Sequence, residues 1–297
     1  MRGLNYSVAE SAEGAIAPFA EARGAARYFA GRTSIYDLMK LAIERPAHLI
    51  DVSQIPDFDP IDTSGNVLRF GAGALMVDVV EAPLVRENYP ILAESLLNAA
   101  SQQLRNMGTV GGNLLQRIRC LYFGNGADSF TAVGVYPCNK REPGSGCFAL
   151  EGLDRTQAVL GTSDACIAVA TGDWPVALTA MSTTVEVFGP DGTRSIAIGD
   201  LYWLPKATLD QEFNLPTGEL ITAIVVPKAS VYHKIRDRES YAFALASAAM
   251  MVDIDGSTVR FGQYRAGWCR HYALVRRRWL ASHSPVTPPS KPIGCFR

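Results

Sequence analysis

The chain has 297 residues, 48% of them apolar and 19% charged, with a formal net charge of -1. That length is more than one small core needs and sets a prior of two or three ordinary domains; the composition excludes a chain disordered throughout. The balanced charge excludes a globally basic binder of nucleic acid, and the apolar run Ala242 to Val252 is too short to span a bilayer, so no membrane insertion is expected. The N-terminus, Met-Arg-Gly-Leu-Asn-Tyr, lacks an apolar signal core. A cytoplasmic protein is expected, or a periplasmic one if a partner with a signal carries it across folded.

Leu4 to Val8 reads as a short strand, Ala12 to Glu21 as a helix rich in Ala and Glu, and Ala26 to Ala30 as a strand entering the tight turn Gly31-Arg-Thr-Ser34. Ile35 to Ile43 has apolar residues at helical spacing and Pro46 stops it; His48 to Val52 is a buried-strand pattern. This order predicts a small α/β subdomain over residues 1–56. The turn 31–34 opens a helix, and free N–H groups at a helix start suit a phosphate.

A linker with two prolines, Ile55 to Gly65, leads to a strand over Val67 to Ala74. Pro90 to Leu104 reads as one long helix, with Pro90 in its first position and Ile91, Leu92, Leu96, Leu97 and Leu104 on its apolar face. The small-residue turn Thr109-Val-Gly-Gly-Asn113 follows, and Gly111 and Gly112 permit backbone approaches that side chains forbid. Residues 115–166 behave as an insertion without sustained periodicity, and a loop this long needs a staple or a function. Trp174 to Met181 has helical composition, with Asp173 placed to cap it. Thr183 to Phe188 and Thr193 to Ile198 flank Gly-Pro-Asp-Gly as a hairpin, and Gly218 to Val226 is a further strand. The second unit is expected over 57–216 and a third over 217–297, with strand patterns at Ser230 to Ile235 and Ala242 to Ile254.

There are six cysteines, at 120, 138, 147, 166, 269 and 295. Cys120, Cys138 and Cys147, with a Cys-x8-Cys pair in a glycine-rich loop, point to soft-metal ligation over buried free thiols; zinc is open as well, since four thiolates suit it. From Arg260 to Arg297 there are eight Lys or Arg and no Asp or Glu, with Arg276-Arg-Arg278 and a proline cluster. This stretch does not continue the strand pattern before it. A tail that has departed from its ancestral sequence is the reading favoured over a nucleic-acid arm.

Leu104-Arg-Asn106, Thr109-Val-Gly-Gly-Asn-Leu-Leu-Gln116, Arg119-Cys120, Pro137 to Cys147, Gly161 to Ile167, Asp37-Leu-Met-Lys40 and His48 to Val52 together are specific. On them the chain resembles, over roughly residues 4 to 259, the FAD-binding medium subunit of molybdenum hydroxylases. These include the xanthine dehydrogenase, carbon monoxide dehydrogenase and aldehyde oxidoreductase systems. It is most similar to the bacterial aldehyde oxidoreductase type whose flavin subunit carries an extra iron–sulfur cluster. The resemblance implies an α+β chain with an FAD-binding fold of the p-cresol methylhydroxylase type. Two α/β subdomains flank FAD, and a truncated or altered α+β C-terminal domain follows them.

By the same resemblance one pyrophosphate loop comprises Ala30, Gly31, Arg32, Thr33, Ser34, Ile35, Tyr36 and Asp37, and the other Thr109, Gly111, Gly112 and Asn113. Asp173 approaches the FAD, and Leu220 and Lys234 lie near the flavin ring. Cys120, Cys138, Cys147 and Cys166 hold a 4Fe–4S cluster, with Lys140 and Arg141 lowering the cost of its negative charge. The implied function is an electron-transfer subunit with no catalytic residue of its own. Electrons pass from iron–sulfur centres through FAD to an acceptor, in a complex with a molybdenum cofactor-binding large subunit and a 2Fe–2S small subunit.

Three features depart from that type. Arg32 stands where a second glycine is usual, and it either pairs with a phosphate or shuts the loop. Gly124 to Gly134 is added material, and the later elements of the C-terminal domain are not recognisable after about Arg260. A scaffold that has lost FAD binding is therefore the alternative. A stand-alone flavin oxidase has no substrate-binding constellation to support it.

Overall fold

The structure is a computed structural model that describes residues 3–125, 135–159, 161–205, 209–227, 231–236, 244–255, 258–267 and 274–277. Most of the added stretch Gly124 to Gly134, Cys269, Cys295, Arg278 and the proline cluster lie outside the described residues.

The first sheet is built from β1 (Asn5–Val8), β2 (Ala26–Phe29) and β3 (His48–Asp51). β3 lies between the other two and runs parallel to both. Parallel neighbours need crossovers, which α1 (Ala12–Glu21) and α2 (Ile35–Lys40) supply. Ser11 caps α1 by accepting the Gly14 N–H at 3.0 Å. Ala15 and Phe19 turn inward against Ala26, Ile50, Val52, Ile55 and Phe58. α2 stops at Lys40, short of the expected Ile43, because Ala42 takes a left-handed φ of 55°.

The second sheet has β4 (Ile61–Asp62), β5 (Leu68–Gly71), β6 (Thr184–Gly189), β7 (Gly192–Ala197) and β8 (Leu220–Val226), in the order β4-β5-β8-β6-β7, antiparallel throughout. The strand at 220–226, expected in a third unit, is its central strand. Between β5 and β6 run α3 (Met76–Glu81), α4 (Pro83–Asn88), α5 (Pro90–Leu97), α6 (Gln102–Arg105), α7 (Val110–Leu114), α8 (Leu121–Gly124) and α9 (Asp173–Ala180). The single helix expected over Pro90 to Leu104 is two helices. Ala100 takes a φ of 52°, which ends one, and the Ser101 hydroxyl accepts the Leu104 N–H at 3.2 Å, which starts the next.

The third sheet, β9 (Val231–Arg236), β10 (Ala244–Asp255), β11 (Thr258–Gly267) and β12 (Leu274–Arg277), is antiparallel in the order β12-β11-β10-β9. β11 runs across Arg260 to Gly267, so the expected end of the strand pattern is overturned as far as Arg277. β11 pairs with β10 on both sides of an irregularity at Arg260: Phe261 lies opposite Asp253 and Val259 opposite Ile254. No helix among the described residues is long and apolar enough to cross a membrane.

The main core lies between the second sheet and α3, α5 and α9. Every residue of α9 is buried, as expected of a helix with no charged face beyond its first residue. Trp174 is completely buried and meets the Phe70 ring edge-on at 5.7 Å. Trp174→Ala is expected to cost about 3–5 kcal/mol through loss of transfer energy and the cavity left behind. Trp203→Ala, at an exposed site, is expected to stay within about 0.5 kcal/mol. Denaturant midpoints check this, and equal losses in both would place the core elsewhere.

Candidate functional site

β2 delivers the chain at Phe29 to the turn Ala30 to Ser34, and α6 delivers it at Arg105 to the turn Asn106 to Thr109. These two turns touch. A Cβ built on Gly31 would lie 2.2 Å from the Met107 carbonyl oxygen and 2.9 Å from Gly108 Cα. A Cβ on Gly108 would meet Met76 Sδ at 3.2 Å and Thr33 Oγ1 at 3.7 Å. The second turn is then pinned to β5: a Cβ on Gly111 would lie 2.8 Å from Ala72 Cβ and 2.9 Å from Ala72 O. Glycine is required at both places because backbone occupies the space a side chain would need.

Thr109 is the N-cap of α7, its hydroxyl accepting the Gly112 N–H at 3.1 Å. The Val110 and Gly111 N–H groups donate to Ala74 O and Ala72 O, each at 2.9 Å. The second turn uses these two donors to hold itself against β5. In the first turn, the N–H groups of Gly31, Arg32, Thr33 and Ser34 have no protein acceptor among the described residues. Asn113 Oδ1 is a buried acceptor without a hydrogen-bond partner among the described residues, and its Nδ2 is 3.7 Å from Met76 Sδ.

Arg32 takes a left-handed φ of 63° and does not close the loop. Its guanidinium turns back to Asp51 Oδ2 at 3.1 Å and lies 5.3 Å from the centre of the Phe29 ring. Asp51 also accepts from Tyr6 Oη at 2.8 Å and from Ser53 N at 2.9 Å. Burial acts to raise the Asp51 pKa, yet the Ser53, Tyr6 and Arg32 bonds hold it below its ordinary value. Ile35 starts α2; Tyr36 and Asp37 are exposed on it, and Lys40 Nζ stands 5.0 Å from the Tyr36 ring centre. A cavity of about 270 Å³ opens beside α2, lined by Ser34, Asp37 and Lys40 and by Arg117 and Arg119 opposite.

The remaining predicted residues are spread more widely. Asp173 is buried at the first position of α9, where Gly172 is the N-cap, so it is not the capping residue. Leu220 is buried in the cluster with Phe19, Ile50 and Phe58, bridging the first and second sheets. Lys234 sits on β9, paired with Ser247 on β10.

The four cysteines of the insertion share one buried cluster and are all free thiols. Cys138 and Cys147 face each other across an antiparallel bridge, and Cys166 bridges with Ser163. Asn139 sets the loop: its Oδ1 accepts from Gly144 N at 3.1 Å and Gly146 N at 2.9 Å, and its Nδ2 donates to Ala165 O at 2.8 Å. Gly144 and Gly146 take φ of 90° and 100°, which glycine adopts without strain. A hydrogen bond from Cys166 pushes the Cys147 thiol down to about 6, with the N–H groups of Ile167, Ala149 and Leu150 assisting against burial. The same bond, with burial, pushes Cys166 up. Burial pushes Cys120 up, offset in part by the Phe123 and Tyr122 N–H groups. Among the described residues no three His, Cys, Asp or Glu side chains are grouped to hold a single metal ion.

Residues 2–229 match the family described as the FAD binding domain in molybdopterin dehydrogenase. The chain belongs to this family. It is 46% identical over 238 residues to the aldehyde oxidoreductase FAD-binding subunit PaoB of Escherichia coli (strain K12), covering 78% of this chain and 72% of that one. It is 24% identical over 260 residues to the glyceraldehyde dehydrogenase medium chain of Sulfolobus acidocaldarius, covering 86% of this chain and 72% of the relative. A crystal structure of Cu,Mo-CO dehydrogenase contains a chain with the same fold, at a TM-score of 0.68 and 22% identity, over 92% of this chain and 78% of that chain.

The junction fits the FAD of this family. It offers N–H donors at 31–34, an exposed Gly112 beside the buried, unpartnered Asn113 Oδ1, and two backbones pressed together with no side chain between them. Sequence reasoning missed Met107 and Gly108 as the partners of Gly31, because contact between residues so distant in the chain leaves no local pattern. Gly31→Ala is expected to weaken FAD binding at least tenfold, about 1.4 kcal/mol or more, since backbone must shift to admit the methyl. Arg32→Gly is expected to leave affinity within about threefold, because the loop already adopts the glycine-like angle. Flavin titrations of both variants check this; unchanged affinity in Gly31→Ala would mean that the close approach is dispensable.

Proposed function

We propose that this chain is the FAD-binding electron-transfer subunit of a molybdenum-dependent aldehyde oxidoreductase of the xanthine dehydrogenase type. Its partners are a molybdenum cofactor-binding large subunit and a 2Fe–2S small subunit. The observation that carries the reading is the junction of Gly31 with Met107 and Gly108, which lies inside the stretch matching the family and beside the unpartnered Asn113 acceptor. The 46% identity to an aldehyde oxidoreductase FAD-binding subunit supports the choice of complex.

In this reading Ala30 to Asp37 hold the pyrophosphate through backbone N–H groups, and Thr109, Gly111, Gly112 and Asn113 close the opposite side. Asp173, Leu220 and Lys234 serve the flavin end. Bound FAD links carriers of single electrons to acceptors of electron pairs. In this reading the units are 1–56, 57–216 and 217–297, with β8 of the last pairing into the second sheet and β9 to β12 forming a sheet of their own. In the assembled complex, an aldehyde added without oxygen is expected to bleach the flavin band. Aldehyde consumption with the flavin left oxidised would remove the electron-transfer role.

The same reading gives Cys120, Cys138, Cys147 and Cys166 a 4Fe–4S cluster. What supports it is one group of four free thiols, three buried and Cys147 partly so, backbone N–H groups turned toward three of the sulfurs, and a loop pre-set by Asn139. Cys138→Ser or Cys147→Ser is expected to abolish the broad visible absorbance and bound iron while FAD stays, because neither residue belongs to the turns at 31–34 or 109–113. Iron content unchanged in both variants would show the assignment to be wrong.

A further inference from the structure

Lys140 is a buried lysine with few polar partners among the described residues. Its side chain has 0% exposure. Nζ donates to Leu209 O at 3.2 Å, and the nearest carboxylate oxygen among the described residues, Glu212 Oε1, is 4.0 Å away. Glu212 is already engaged more closely: Arg117 Nε donates to it at 2.8 Å and Ile118 N at 3.1 Å. An ammonium carries three donors, and a buried cation is tolerated where negative charge or hydrogen bonds replace water. The protein groups here supply part of that.

The missing charge is close by. Lys140 follows Cys138 by two residues in a turn closed by Arg141 N and Glu142 N on Cys138 O, at 3.0 and 2.9 Å. The Asn139 amide ties that turn to Ala165, beside Cys166, and Leu209 packs against the cysteine cluster itself. Arg141, its neighbour, is spent on backbone, donating to the carbonyls of Tyr122, Phe123 and Tyr136. Of the two basic residues in the turn, Lys140 is the fully buried one and Arg141 is partly exposed.

We infer that Lys140 is the fixed counter-cation of the cysteine site and sets the reduction potential of the cluster bound there. The inference rests on the cluster reading above. Reduction adds one electron to the cluster and makes it, with its thiolates, one unit more negative; no bond forms or breaks. A buried positive charge at short range favours that state, and the low local dielectric keeps the effect from being screened away.

The test is a dithionite titration of the full chain, followed by electron paramagnetic resonance, with iron counted in each variant. Lys140→Met keeps the apolar stem and removes the charge. Its midpoint is expected to fall by about 59 mV, a tenfold change in a one-electron equilibrium, while Lys140→Arg stays within about threefold of wild type. A Lys140→Met chain with full iron and the wild-type midpoint overturns the role of Lys140 and leaves the cluster reading standing. If Lys140→Met folds and keeps FAD but loses iron, Glu212→Gln decides: removing the neighbouring negative charge must raise the midpoint, and an unchanged or lower value overturns the inference. A wild-type chain without iron removes the cluster reading, and this inference with it.

Discussion

The fold depends on one close approach of two backbones. Gly31, at the end of the first sheet, lies against the Met107 carbonyl and Gly108, which hang from the helical layer of the second unit. A side chain at position 31 would hold the two apart. Each turn is fixed from behind by its own secondary structure. The first springs from β2 into α2; the second is tied to β5 by Val110 and Gly111 N–H groups bonding Ala74 and Ala72. The result is a crevice bounded by backbone, which is how a protein comes near a phosphate chain without the bulk of side chains.

Much of this was legible in sequence because it is local. The strand–helix–strand order of the first 56 residues, the hairpin at 183–198 and the glycine turn after a helix each follow from short-range pattern, and the structure contains them. What was not legible comes from contacts between distant segments. The split of the helix at Ala100 required a left-handed residue that propensity disfavours there. β8 reads as a plain apolar strand, and nothing within it says that it inserts between β5 and β6. Arg32 looked like an obstruction, yet a bulky residue can hold a left-handed angle when Asp51 and Phe29 anchor its side chain.

The cysteine loop shows the same division. Its ligand types and glycines could be read from spacing. Its preorganisation could not, since Asn139 reaches forward to Gly144 and Gly146 and across to Ala165. A polar side chain holding three backbone groups fixes the loop by folding alone.

A run of buried charge connects these two regions. Glu44, just past α2, accepts from Arg117 at 2.6 Å and from Arg27 at 2.8 Å; Arg117 reaches Glu212 at 2.8 Å, and Glu212 stands 4.0 Å from Lys140. Such a run adds little net stability, because desolvating each charge offsets the attraction. Its effect is geometric. Arg117 is the shared member: held by both Glu44 and Glu212, it ties the first unit to the stretch after α7 and, through Glu212, to the surroundings of the cysteine loop. The flavin junction and the cysteine site therefore share a support, although no cysteine touches either glycine turn.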